Sequence, residues 1–422
     1  MSKRNNTLLE YIRPDGLRII TKRMPYTKTL KFGVITRVGS AYDDADKHGQ
    51  FHFFEHMAFK GTSTKSQQEI NRLRERYLLS HNATTGQLET QYFASVPANR
   101  LKEVCDLILD IYQNSVFPED EIQREKEVVL NEIARNKDND HRQAYFGLCQ
   151  LLWKSNALRK PGTGSKEGLD NISRDLLIST RDKWHVPNNT IVIVAGKLVH
   201  EDVINLVNQY IPLKYSALPY HRHWEDEIND DPLIKINYVK KPDRNKAIIY
   251  SGLKIPVSIY SDLRQLGVFH IMVKMLAQGT TSILWNEIRE KRGFAYTVNG
   301  GGFGHERLGK GLVFQIESLP NRVSDICSMV PEIIVDYKLD PDKFTNSKEA
   351  LLDRFRISMQ DPESWYDEIE ETLLWHPNST NKLNSYLSKI MKSYSAVTFD
   401  EVVEMRERLI RPEKIATFVI TP

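Results

Sequence analysis

Residues 49–62 read GQFHFFEHMAFKGT, and residues 267–280 read GVFHIMVKMLAQGT. Gly49, Phe51, His52, Met57, Gly61 and Thr62 match Gly267, Phe269, His270, Met275, Gly279 and Thr280 at one register, 218 residues apart. An internal repeat of that length points to a duplicated domain rather than one large fold. The copies differ where the first carries charge: Val273 stands in place of Glu55 and Lys274 in place of His56. Whatever chemistry the first copy performs, the second keeps only the scaffold, and His270 reads as a core histidine.

The rest of the chain fits two related domains. Strand-like runs occur at 17–21, 30–38 and 190–196, and again at 234–239, 246–252 and 415–420. Helical periodicity covers 48–60, 97–113, 119–136, 263–277, 281–292 and 399–409. The expected class is α+β, each domain a mainly antiparallel sheet packed with helices. PLKYSALPYHRHWEDEINDDPL (212–233) mixes prolines, charge and isolated aromatics without a clean period, as a linker does. The expected division is 1–214, a linker at 215–232, and 233–422.

Composition narrows the function. Of 422 residues, 40% are hydrophobic, enough for substantial cores. Lys plus Arg number 58 against 55 Asp plus Glu, a net charge of +3, so no basic footprint for nucleic acid is present. The three cysteines, Cys105, Cys149 and Cys327, are too few and too scattered for a disulfide framework or a cysteine zinc site. No apolar run resembles a signal peptide or a membrane span, so a cytoplasmic setting without membrane contact is expected.

On a helix, His52 and His56 are i,i+4 neighbours on one face. Imidazoles at that spacing can hold one Zn2+, and Glu55 beside them would be placed as a general base. His-x-x-Glu-His is the inverted order of a commoner zinc-protease motif. The pentapeptide alone fits equally a helix with an ordinary polar edge. In EDEIQREKEVVLNEIARNK (119–137), Glu125 and Glu132 share a face with Ile122, Val129 and Ile133. Inward carboxylates need partners, and a metal with its supporting shell would supply them. By spacing alone, a charged solvated helix is the favoured reading, because the segment is glutamate-rich throughout. GGGFGHERLGKG (300–311) reads as strand–turn–strand rather than a phosphate loop. His48, His81, His185, His221 and His223 read as isolated surface histidines.

With these residues in view, the chain resembles the inverzincin family of pitrilysin, insulin-degrading enzyme and the mitochondrial processing peptidase. PDGLRIITKR and VITRVGSAYDD resemble its entry strands, GQFHFFEHMAFKGT its zinc helix and REKEVVLNE its third-ligand helix. Similarity continues through NATTGQLETQYFASV, WHVPNNTIVIVAGKL and TSILWNEIREKRGFAYTV. The resemblance implies zinc ligands His52, His56 and Glu132, base Glu55, and Glu125 as the carboxylate behind a ligand histidine. It implies that Asn82 and Ala83 lie on an edge strand that pairs with extended substrate. Arg289 and Tyr296 would match the family's arginine–tyrosine pair, which grips substrate and stabilises the oxyanion. Two features depart from the pattern: LLSHNATTG lacks the usual glycine-rich turn, and Leu88 stands where a glutamate is common. The implied activity is zinc-dependent hydrolysis of short or unfolded peptides, in a chamber closed by two chains as a homodimer or a heterodimer with a paralogue. The other class of reading is a non-catalytic scaffold or assembly subunit of the same fold.

Overall fold

The computed structural model describes residues 8–154, 157–221, 235–305, 307–375 and 389–422. Most of the expected linker, together with His223, lies outside them. The chain forms two compact units, each assembled from three stretches. The first comprises the described residues of 1–134, 162–222 and 357–385; the second those of 135–161, 223–356 and 386–422. Each unit is thus completed by a helix from the other half of the sequence, so the units are not the contiguous halves that the repeat suggests.

In the first unit, β1 (Leu8–Ile12), β2 (Arg18–Arg23), β3 (Thr29–Thr36), β4 (Ser80–Thr85), β5 (Thr90–Pro97) and β6 (Thr190–Gly196) form one sheet of order β1-β2-β6-β3-β5-β4. In the second, β7 (Lys235–Lys240), β8 (Ala247–Ile255), β9 (Ala295–His305), β10 (Gly309–Ser318) and β11 (Ala416–Thr421) follow the order β7-β11-β8-β10-β9. The duplication is visible in this topology. Without β1, the two sheets have the same strand order, and in each only the pair at the same place, β2–β6 or β7–β11, runs parallel. The sheets are mainly antiparallel, as expected, and each is mixed through that single parallel pair. TIVIVAG forms β6 and is buried along its whole length, as a central strand covered on both faces should be. SHNATT forms β4, a polar edge strand paired only with β5.

One face of the first sheet packs Phe32, Val34, Tyr92 and Val194 against Ile108 and Ile111 of helix Leu101–Asn114 and Val203 and Val207 of helix His200–Tyr210. The helix Pro362–Trp375 completes this unit. Tyr366 lies over Gly33 of β3, and its hydroxyl donates to Gln91 at 3.0 Å. Lys31 reaches Glu363 at 2.7 Å and Asp367 at 2.9 Å. A Cβ on Gly33 would fall 2.0 Å from the Tyr366 hydroxyl oxygen, and that ring is buried. Gly33→Ala is therefore expected to destabilise the protein by about 1–3 kcal/mol, read as a lower melting temperature. An unchanged melting temperature would show that this helix does not seat on β3 as described.

In the second unit, the helix Asp140–Leu152 seats Gly147 under Phe418 of β11, and Asp140 accepts Lys241 at 2.7 Å and Arg244 at 2.8 Å. The repeat copy forms the helix Leu263–Ala277. His270 bonds the Tyr394 hydroxyl at 2.7 Å, and burial pushes its pKa down to about 4, consistent with a core histidine. The glycine-rich stretch forms the β9–β10 hairpin. The regular helix expected at 281–292 is instead built around a π-helix at Trp285–Glu290. Among the described residues, no helix is long and apolar enough to cross a membrane.

Candidate metal centre

The helix Gln50–Ala58 starts at Gly49, whose φ of 101° is left-handed. A Cβ there would also meet the Gly164 Cα at 2.8 Å, so glycine is required twice over. Asp43 caps the helix from six residues upstream: its carboxylate accepts the backbone N–H of Gly49 at 2.7 Å and of Phe51 at 3.2 Å. This satisfies the Phe51 donor of the first turn, and burial raises the Asp43 carboxyl pKa to about 7 against these bonds.

Phe53, Phe54 and Met57 are buried against Phe117, Ile122, Val129, Ile133, Leu169 and Leu177. This one cluster ties the histidine helix to the helix Glu119–Asp138 and to the helix Arg174–Trp184. It turns His52 and His56 the other way, with their ring centroids 4.7 Å apart. Glu132 projects from the neighbouring helix, its Oε2 3.6 Å from Nε2 of His52 and 3.6 Å from Nε2 of His56. Donor atoms of the three residues all lie within 4.8 Å of one another. Ligands about 2.0–2.1 Å from one tetrahedral ion stand roughly 3.3 Å apart, so small rotamer shifts close the set. Two imidazoles and one carboxylate are the donor chemistry of a catalytic zinc site with a fourth position left open.

Glu125 is buried beside His56, its Oε1 2.8 Å from Nδ1, while Lys60 grips its other oxygen. Burial would raise the Glu125 carboxyl, but the bonds from His56 and Lys60 outweigh it and hold the pKa below its ordinary value. An ionised carboxylate only accepts, so the proton of neutral His56 sits on Nδ1 and Nε2 presents its lone pair towards Glu132. Burial also works against a charged His56, yet the hydrogen bond to Glu125 and the nearby carboxylates of Glu132 and Glu55 raise its pKa to about 9. The cluster attracts positive charge.

Glu55 is 9% exposed on the same helix. Burial raises its carboxyl pKa, and Glu132 adds to this, against the opposing effects of Thr85 and His56. The Thr85 hydroxyl donates to Oε2 of Glu55 at 2.8 Å.

The remaining expected residues fall elsewhere. Asn82 and Ala83 lie on the edge strand β4, opposite Phe93 and Tyr92 of β5. Arg289 and Tyr296 belong to the second unit. The Arg289 guanidinium rests 4.2 Å above the Trp285 ring and donates to the Tyr296 carbonyl, while the Tyr296 side chain is exposed. His185, expected at the surface, is instead a core residue. Its ring stacks on Tyr112 with centroids 4.0 Å apart, and its Nδ1 lies 2.7 Å from the Tyr112 carbonyl, which satisfies the polar ring in an apolar setting. His221 bridges the Tyr42 hydroxyl at 3.0 Å and the Asn189 side chain at 3.1 Å. Sequence reasoning missed Asp43, Lys60 and Thr85. Only Lys60, four residues after His56, carried a local signal.

Comparison with known proteins fits this geometry. Residues 18–162 match the family described as insulinase (peptidase family M16), and residues 171–350 match the peptidase M16 inactive domain. An uncharacterized zinc protease of Rickettsia felis is 30% identical over 287 residues, 67% of this chain and 67% of the relative. The crystal structure of a protease from Helicobacter pylori superposes with a TM-score of 0.87 at 18% identity, covering 99% of this chain and 100% of that one. The periplasmic protease PqqL of Escherichia coli superposes with a TM-score of 0.77 at 16% identity, over 98% of this chain but 47% of its own length.

Proposed function

The chain belongs to peptidase family M16, and from that premise we propose that it is a zinc-dependent endopeptidase using His52, His56 and Glu132 as metal ligands. The observation that carries the proposal is the convergence of these three donors next to the buried carboxylate of Glu55. Bound there, zinc would polarise the scissile carbonyl and make the attacking water more acidic. Glu55 takes the proton from that water and hands it to the leaving amine. Glu125 holds His56 in the tautomer that ligation requires, and Lys60 keeps Glu125 ionised. Extended substrate adds to the open edge of β4 at Asn82 and Ala83, with Arg289 and Tyr296 gripping it and stabilising the oxyanion.

The substrates are short or unfolded peptides in a chamber closed by a second chain. The match of this whole chain to about half of PqqL supports pairing. Both the zinc set and Arg289/Tyr296 are encoded here, so a homodimer would be self-sufficient; a paralogous partner is the other arrangement.

Zinc content and cleavage of internally quenched peptides test the proposal, and pH sharpens the test. Zinc must displace the proton that His56 holds up to about pH 9. Apparent zinc affinity is therefore expected to rise about tenfold per pH unit between pH 7 and 9 and then level off. Affinity that is flat across this range shows that His56 holds no such proton; a chain that binds no zinc, or binds zinc but cleaves no peptide, contradicts the proposal.

A further inference from the structure

We propose that Thr85 is a positioning residue that fixes the Glu55 carboxylate for proton transfer. The inference rests on the peptidase reading above. Among the described residues, Thr85 is the only hydrogen-bond partner of that carboxylate, at 2.8 Å to Oε2. Glu55 is buried, and a carboxylate's terminal torsion is soft, so one anchored oxygen decides where the other points. With Oε2 held, Oε1 is the oxygen free to receive a proton.

The anchor comes from a particular place. Thr85 is the last residue of the edge strand β4, paired with Thr90 of β5. Its hydroxyl also lies 3.4 Å from the Phe51 carbonyl, in the turn of the histidine helix before Glu55. The strand that carries Asn82 and Ala83 therefore also carries the group that orients the base. Substrate backbone and base are set by one piece of β-structure, so the proton acceptor keeps a fixed relation to the peptide lying on that strand.

The test uses the zinc-loaded full-length chain with Thr85→Val and Thr85→Ser. The substrate is an internally quenched decapeptide, chosen from a random-sequence set because the wild-type chain cleaves it. In Thr85→Val, kcat is expected to fall ~10–100-fold with KM within ~twofold, because the group is misplaced while substrate binding is not. Thr85→Ser keeps the donor and is expected to stay within ~threefold of wild type. Zinc content and melting temperature should match wild type in both. Wild-type kcat in Thr85→Val, equal losses in both variants, or loss of zinc or of thermal stability in Thr85→Val would each overturn the positioning role. A wild-type chain that binds no zinc and cleaves no member of the set overturns the proposed function, and this role with it. An active wild type with an unaffected Thr85→Val overturns this role alone.

Discussion

Glu55→Gln is expected to bind about one zinc per chain and to lose roughly 10²–10⁴-fold in kcat, the usual contribution of a positioned general base. The substitution is nearly isosteric. Its amide oxygen can still accept the Thr85 hydroxyl that now bonds Oε2 at 2.8 Å, so the side chain has reason to stay in place. Glu55 belongs to the histidine helix but is not one of the three convergent donors, so those ligands remain. What disappears is the ability to take up a proton. Burial favours neutral groups at this position, and an amide here carries no desolvation penalty for charge. Steady-state kinetics with zinc analysis on the same sample separates the two roles. Full activity in Glu55→Gln removes it as the base, and loss of zinc would make it a ligand.

The second large effect separates the two carboxylates of the neighbouring helix. Glu132→Gln replaces an anionic donor 3.6 Å from both Nε2 atoms by a weaker neutral one. Glu125→Gln acts on the far nitrogen of His56, at 2.8 Å, and on the ion pair with Lys60, without touching either Nε2 atom. Supporting groups of the second kind typically cost 10–100-fold in metal affinity, so Glu125→Gln is expected in that range and Glu132→Gln well beyond it, at more than ~10³-fold. Activity should follow zinc occupancy in both and return in Glu125→Gln at high zinc concentration. Competition with a chelator of known affinity measures the ratio. Equal losses in the two variants, or the larger loss in Glu125→Gln, would reverse the assigned roles.

Much of this was legible in the sequence because the periodicities are strong. Helix 399–409 and strand 190–196 begin and end where their patterns do, and the repeat at 49–62 and 267–280 announces the common topology of the two sheets. What stayed hidden depends on contacts distant in sequence. The helix Pro362–Trp375 was not among the expected elements, and nothing in its sequence says that Tyr366 will cover Gly33. A π-helix of six residues at Trp285–Glu290 has no hydrophobic period distinct from an α-helix over so short a span. His185 looks like any polar residue after a helix until Tyr112 and Phe54 close around it. Within the candidate site, the i,i+4 histidines were readable by spacing. Glu132 required the resemblance to choose it from a glutamate-rich helix. Asp43 and Thr85 act through loop and strand geometry that no short motif encodes.

The convergence of His52, His56 and Glu132 on one divalent ion is tested most directly by anomalous scattering from crystals of the zinc-loaded chain, recorded on both sides of the zinc absorption edge. The expected result is a single strong peak about 2.0–2.1 Å from both Nε2 atoms and from a Glu132 oxygen, present above the edge and absent below it. A site without a peak in zinc-loaded, active protein, or a peak that Glu132 does not reach, would contradict it.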